Sequence, residues 1–256
     1  MGVSVDDIGC ESSKPLNMAL ITDQSPKHAV DDQPTSDETS GPRAGSKYAV
    51  EAIGTFFLVF TVGAAVASAN AMAPLAIGAA LMVMIYAGGH ISGGHYNPAV
   101  TLAVLVRRRI TFRDAIAYWI VQIGAGLLAA LAVTRIVDPV EISRRTTMTL
   151  GGHTLLAAFV VELLFTFALC YVMLNVATSN SHPDNSFYGL AIGFTVVAGV
   201  FTVGTISGGA FNPAVTLGAA VMDMFAWQTL WVYLIAQILG GITAGVVFLV
   251  QNPGDK

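Results

Sequence analysis

Charge is the scarcest commodity in this chain. Only 11% of its 256 residues are Asp, Glu, Lys or Arg, where a soluble domain is about a quarter charged. Cysteine is nearly absent too. Cys10 lies in a polar N-terminal stretch and Cys170 inside an apolar segment, so no disulfide framework is expected. His90, His95, His153 and His182 show neither metal-ligand spacing nor the pattern of a catalytic triad, which argues against an enzyme. Residues 1–46 contain no Trp, Tyr or Phe and hold eight of the sixteen acidic residues. Such a segment cannot bury enough apolar surface to offset its ordering entropy, so a disordered tail is expected there. A basic start followed by an apolar run is missing, so the tail does not read as a signal peptide.

What is abundant is hydrocarbon. Hydrophobic residues make up 54% of the chain and the mean hydropathy is +0.68. Long apolar segments run at about 48–68, 74–90, 114–136, 153–177, 187–205 and 226–250. About 20 helical residues cross a bilayer core, so six transmembrane helices are expected. A β-barrel would instead alternate in short strands. Arg107, Arg108, Arg109 and Arg113 cluster between the second and third spans, and Arg43 and Lys47 flank the first. By the positive-inside rule these regions, and with them both termini, are expected in the cytoplasm. The expected layout is a tail over 1–46, a membrane domain over 47–250 and a short C-terminal tail over 251–256.

The decisive feature is a repeat. Ile91-Ser92-Gly93-Gly94-His95-Tyr96-Asn97-Pro98-Ala99-Val100-Thr101-Leu102 recurs as Ile206-Ser207-Gly208-Gly209-Ala210-Phe211-Asn212-Pro213-Ala214-Val215-Thr216-Leu217. Ten of the twelve positions are identical. Tyr118 to Gln122 matches Tyr233 to Gln237, and Glu51 with Thr55 matches Glu162 with Thr166. Each half holds three spans, an odd number, so the halves enter the membrane from opposite faces as an inverted repeat, with the functional site at their interface. Within each motif Ser-Gly-Gly is a flexible run, Asn is a helix N-cap and Pro stands at the first helical position. The apolar stretch after it suits a helix of about nine residues, or about 14 Å, half of the hydrocarbon core. Irregular backbone at that depth must be buried in protein or line a watery cavity. The two helix N-termini add positive dipole ends at the centre.

The doubled Ser-Gly-Gly-x-x-Asn-Pro-Ala-Val, the paired Glu51 and Glu162, and His90 seven residues before Asn97 resemble the aquaporin (major intrinsic protein) family over residues 47–250. The resemblance implies an all-α membrane protein with six transmembrane helices plus two half-membrane re-entrant helices in an inverted repeat. It further implies one pore in each subunit of a homotetramer, a plasma-membrane location, and neither a cofactor nor a nucleic-acid partner. Asn97, Pro98, Ala99, Asn212, Pro213 and Ala214 are similar to the family's pore centre. His90, Gly93, Gly94, His95 and Gly208 are implied pore-lining positions, and Glu51 and Glu162 are implied braces of the two motif loops.

One departure stands out. Where most of the family carries a filter Arg after the second motif, this chain has Val215, and the other filter positions carried over are Ile77, Val200 and Gly209. Selectivity in such pores comes from diameter, lining hydrogen bonds and electrostatic barriers. An aliphatic filter loosens the first two, so water is expected to be joined by glycerol, urea, hydrogen peroxide or ammonia. The alternatives are an ammonia or urea facilitator with little water flux, and a poorly conducting junction or scaffold protein. The orientation is open to a direct test. A cysteine placed by Ser143→Cys should label with an impermeant reagent in intact cells, whereas one placed by Ser40→Cys should not; the reverse pattern inverts the topology.

Overall fold

The computed structural model describes residues 42–137, 147–183 and 185–255. All of them lie in the compact unit Ser40–Lys256. Eight α-helices follow one another among the described residues: α1 Ala44–Ala67, α2 Ala73–Ser92, α3 Pro98–Val106, α4 Phe112–Ala132, α5 His153–Thr178, α6 Tyr188–Ser207, α7 Pro213–Val221 and α8 Leu230–Gln251. Six of these are long and apolar enough to cross a membrane, α4 and α8 with short extensions. The other two, α3 and α7, are nine residues each.

Local chemistry sets most boundaries. Asn97 and Asn212 cap α3 and α7 by accepting from the backbone N–H of Ala99 and Ala214, with Pro at the first helical position. Thr111 caps α4 through Asp114 N. Gly93 and Gly208 end α2 and α6 in the left-handed region, at φ 90° and 88°, where a Cβ would be strained.

One expected boundary moves, and one expected span changes its helical geometry on the way. Helix α1 starts at Ala44, directly after Pro42-Arg43, three residues ahead of the domain start expected at 47. Residues 44–46 are therefore helical and not tail; residues 1–41 lie outside the described residues. The third span leaves α geometry at Ala132 and continues as a π-helical turn, Val133–Val137. There the Thr134 hydroxyl donates to Ala130 O at 2.9 Å, a side-chain bond that competes with the regular ladder. The loop expected at 137–152 lies mostly outside the described residues.

The packing mirrors the repeat. Helices α1 and α4 pack together in the first half as α5 and α8 do in the second, and α2 meets α6 across the seam. Each half-helix lies against the last helix of the other half, α3 on α8 and α7 on α4. Small residues allow this. A Cβ on Gly241 of α8 would stand 2.6 Å from Ala99 O of α3, and one on Gly126 of α4 would stand 3.1 Å from Ala214 O of α7. With lipid no less apolar than a helix surface, close contact between backbones is what holds membrane helices together.

Gly241→Val should therefore push α3 off α8 and destabilise the protein by about 1–3 kcal/mol, the usual range for overpacking. Gly124→Ala, where a Cβ meets nothing within 4 Å, is the matched control. A melt of both variants in detergent checks this, and equal midpoints would remove the close approach as a source of stability.

Candidate functional site

Helices α3 and α7 point their N-termini at each other in the middle of the bundle, and the segments leading into them are held by two carboxylates. Glu51, fully buried on α1, accepts from Ser92 Oγ at 2.7 Å and His95 N at 2.9 Å on one oxygen. Its other oxygen accepts from Tyr96 N at 2.7 Å and Gln122 Nε2 at 2.9 Å. Glu162 on α5, equally buried, repeats the pattern with Ser207 Oγ at 2.7 Å, Ala210 N at 3.0 Å, Phe211 N at 2.8 Å and Gln237 Nε2 at 2.9 Å. Four donors occupy four acceptor sites in each case. That geometry braces a loop and leaves no lone pair free for a proton relay.

The braced backbone is unusual. Gly93, Gly94 and Tyr96 have φ of 90°, 63° and 49°, and Gly208, Gly209 and Phe211 have 88°, 67° and 50°. Tyr96 and Phe211 are bulky residues held in the left-handed region, which requires surroundings that over-determine them. Those surroundings are the carboxylates and two tyrosines, Tyr118 donating to Ser92 O at 2.6 Å and Tyr233 to Ser207 O at 2.7 Å.

The two loops also lock onto each other. Asn97 Nδ2 donates to Phe211 O and Asn212 Nδ2 donates to Tyr96 O, both at 2.9 Å. The structure commits one hydrogen of each to the opposite loop, and an amide nitrogen carries two.

A cavity of about 530 Å³ runs along this centre. Asn97, Asn212, Gly94, His95 and Gly208 line it, as do Ile77, Val200, Gly209 and Val215, the four positions expected to form a filter. Ile77 faces this cavity from α2 and is 6% exposed. Pro98, Ala99, Pro213 and Ala214, the other expected pore-centre positions, are buried in the first turns of α3 and α7. His90 and Gly93 line a second cavity of about 310 Å³ towards the Arg107 end, with Ile192 shared between the two. The halves differ where His95 faces Ala210. His95 Nδ1 lies 3.0 Å from Thr101 Oγ1, a contact without a counterpart in the second half.

Several participants were not singled out from sequence. Ser92, Ser207, Tyr118, Tyr233, Gln122 and Gln237 complete the two braces, and their signal was the repeat itself, which pairs each with its mate. Met148, Met173, Met224 and Phe225 also line the larger cavity; Met148 stands between two threonines and Met224 beside Asp223, and none of the four belongs to a motif that marks it as lining.

The family model described as Major intrinsic protein matches residues 38–248, most of the chain.

This chain belongs to that family.

Its members are passive channels and not enzymes, and the six spans make the chain a multi-pass membrane protein. It is 41% identical over 219 residues to glycerol uptake facilitator protein-like 6 of Lactiplantibacillus plantarum, covering 82% of this chain and 99% of the relative. It is 35% identical to Nodulin-26 of Glycine max, covering 82% and 79%. Among solved structures, the aquaglyceroporin from Plasmodium falciparum superimposes with a TM-score of 0.70 at 22% identity, covering 80% of this chain and 96% of that one. At that identity the likeness speaks for the fold.

The braces make a sharp prediction. Glu162→Gln keeps one acceptor oxygen and turns an NH2 group towards donors. At least two N–H or O–H groups lose their partner, at about 1–3 kcal/mol for each buried group left unmade. The folded fraction after heating, read by size exclusion, should fall for Glu162→Gln and equally for Glu51→Gln. Wild-type survival in both would show that the carboxylates are dispensable to the loops.

Proposed function

We propose that the chain is a passive channel for water and small uncharged solutes, glycerol and urea among them, with Val215 as the residue that makes it permissive. The observation that carries this reading is the lining of the central cavity. The two Asn amides and His95 supply its polar side chains near the centre, whereas Ile77, Val200 and Val215 present only hydrocarbon at the filter level. A solute with both CH and OH or NH2 groups meets a surface for each. Val100 and Val215 occupy equivalent positions of the two motifs and both line the cavity, so no cationic side chain narrows it at either place. The 41% identity to a glycerol uptake facilitator supports the same solute class. The helix N-termini and Asn donors keep the centre positive and oppose cations. The proposed setting is a homotetramer in the plasma membrane with cytoplasmic termini, as the arginine bias suggests.

Stopped-flow light scattering on proteoliposomes under water, glycerol and urea gradients tests the reading. Flux above that of empty vesicles is expected for all three. Ammonia or urea flux without water would select the narrower facilitator, and no flux at all the scaffold. Val215→Arg places a guanidinium at the filter, which water can pass by hydrogen bonding but larger solutes must squeeze past. Each rise of about 1.4 kcal/mol in barrier slows passage tenfold, so glycerol-to-water and urea-to-water ratios should fall by about that factor. Burying the cation costs about 2.5–3.5 kcal/mol on insertion scales, so the ratio is read only on correctly assembled protein. A water-conducting Val215→Arg protein with unchanged ratios removes Val215 from the filter.

A further inference from the structure

The end of α3 carries a feature that the repeat does not explain. Arg107, which follows the half-helix, is fully buried. Its repeat mate at the end of α7 is Met222, also fully buried. The fold therefore needs a long buried side chain at this point, and on one face methionine satisfies it. On the other face the chain has a cation, and the cation is heavily engaged. Arg107 Nε donates to Thr178 Oγ1 at 2.9 Å and Nη2 to Thr178 O at 3.0 Å. Nη1 donates to Asp255 O at 2.8 Å, Nη2 to Asp255 Oδ1 at 2.6 Å, and the guanidinium lies 4.1 Å over the Phe248 ring. Replacing a buried ion pair by apolar residues is often neutral for stability, so stability alone does not call for this arrangement.

Asp255 is what gives the cluster reach. Its Oδ1 also accepts from Arg109 Nη2 at 3.1 Å. Its Oδ2 accepts from Ser179 Oγ at 3.1 Å and Asn180 N at 2.8 Å. Thr178, Ser179, His182, Pro183 and Asn185 form one wall of the 310 Å³ cavity. This wall is tied to itself by Ser181 N to Ser179 Oγ and by Asn185 Nδ2 to His182 O. Among the described residues, the hydrogen bonds that Thr178 to His182 make outside α5 and this turn go to Arg107, Arg109 and Asp255. The opposite wall, with Gly89, His90 and Gly93, belongs to α2 and the first motif. One carboxylate thus joins the end of the half-helix that carries Asn97 to the wall of the mouth below it.

We propose that Asp255 is a strap residue of the channel, holding the 178–183 wall against Arg107 so that the mouth on that face stays open. The inference rests on the chain being a channel. With the strap fastened the mouth is a void; with it released the turn is free to move into the void it borders. Burial alone would raise the Asp255 carboxyl, but the Asn180 N–H, the Arg107 guanidinium and the Ser179 hydroxyl outweigh it and hold the group at about 2. The strap therefore stays charged across physiological pH and responds to changes in its partners and not to acid.

The test compares wild type, Asp255→Ala, Asp255→Glu and the double variant Arg107→Met with Asp255→Ala, each as the full chain in proteoliposomes. Hydrogen exchange of residues 178–183 and the permeabilities to water and glycerol are read on the same samples. Asp255→Ala should speed exchange in 178–183. If the released wall occupies the mouth most of the time, both permeabilities fall together by about three- to tenfold, in proportion to the open fraction. The glycerol-to-water ratio stays fixed, because the mouth lies before the filter. Asp255→Glu should recover most of the flux. The double variant copies the Met222 arrangement, so it folds even where Asp255→Ala alone leaves the buried Arg107 without its counter-charge, and it should show the same fast exchange and low flux. Fast exchange with wild-type flux, or unchanged exchange in the double variant, overturns the strap. Absence of flux in wild type overturns the channel reading instead, and is seen before any variant is compared.

Discussion

In the middle of a bilayer no water waits to satisfy a stray amide. That constraint governs this molecule. Two non-helical loops reach the midplane, and their N–H groups must be met by protein or the fold is lost. Two glutamates meet them, each with all four acceptor sites filled. Because Tyr96 N and Phe211 N are each held by the carboxylate of their own half, their carbonyls face across the centre and take the amide hydrogens of the opposing Asn. The position of the two helix N-termini follows from that chain of bonds, and the polar stripe of the cavity follows from the helix N-termini.

The same constraint explains why the fold tolerates symmetry so well and where it abandons it. Positions that brace, cap or allow close approach are the same in both halves: Glu51 and Glu162, Asn97 and Asn212, Gly126 and Gly241. Positions that face solute or one side of the membrane are free to differ. His95 against Ala210 gives one half of the lining an imidazole. Arg107 against Met222 gives one end of the bundle a buried charged cluster and the other a buried methionine. Departures from the repeat are thus informative in a way that the repeat is not.

Much of this was legible in the sequence because membranes compress the code. Spans of about 20 apolar residues must be helices, and the observed α2 and α6 came within two residues of the apolar segments at 74–90 and 187–205. The nine-residue length of α3 and α7 followed from Asn-Pro at one end and the arginines or Met222-Asp223 at the other. Two duplicated glutamates inside hydrocarbon had few roles open to them. What stayed hidden was contact between residues with no local signature. Asp255 reads as an ordinary charge in a terminal stretch, and its partner Arg107 as one of three adjacent arginines. Only three-dimensional proximity across 148 positions separates that arginine from Arg108. The lining residues Met148, Met173 and Met224 were hidden for a related reason, since none of them belongs to the repeat or to a motif.

The reciprocal amide bonds have a consequence for how the chain comes into being. Asn97 finds its acceptor 114 residues downstream, and Asn212 reaches back 116 residues to Tyr96. A chain made from its N-terminus inserts the whole first half before residue 211 exists. Until then Asn97 has no carbonyl to meet, and α3 lacks α8, the helix it packs on in the finished structure. The first re-entrant segment must wait at the edge of the bilayer or in a partly wet opening. The last span to be synthesised, α8, is the one that seats the first half-helix. Closure of the centre is therefore a late event of assembly, with the long sequence separation that slows such steps, and everything needed for it is carried by a single chain.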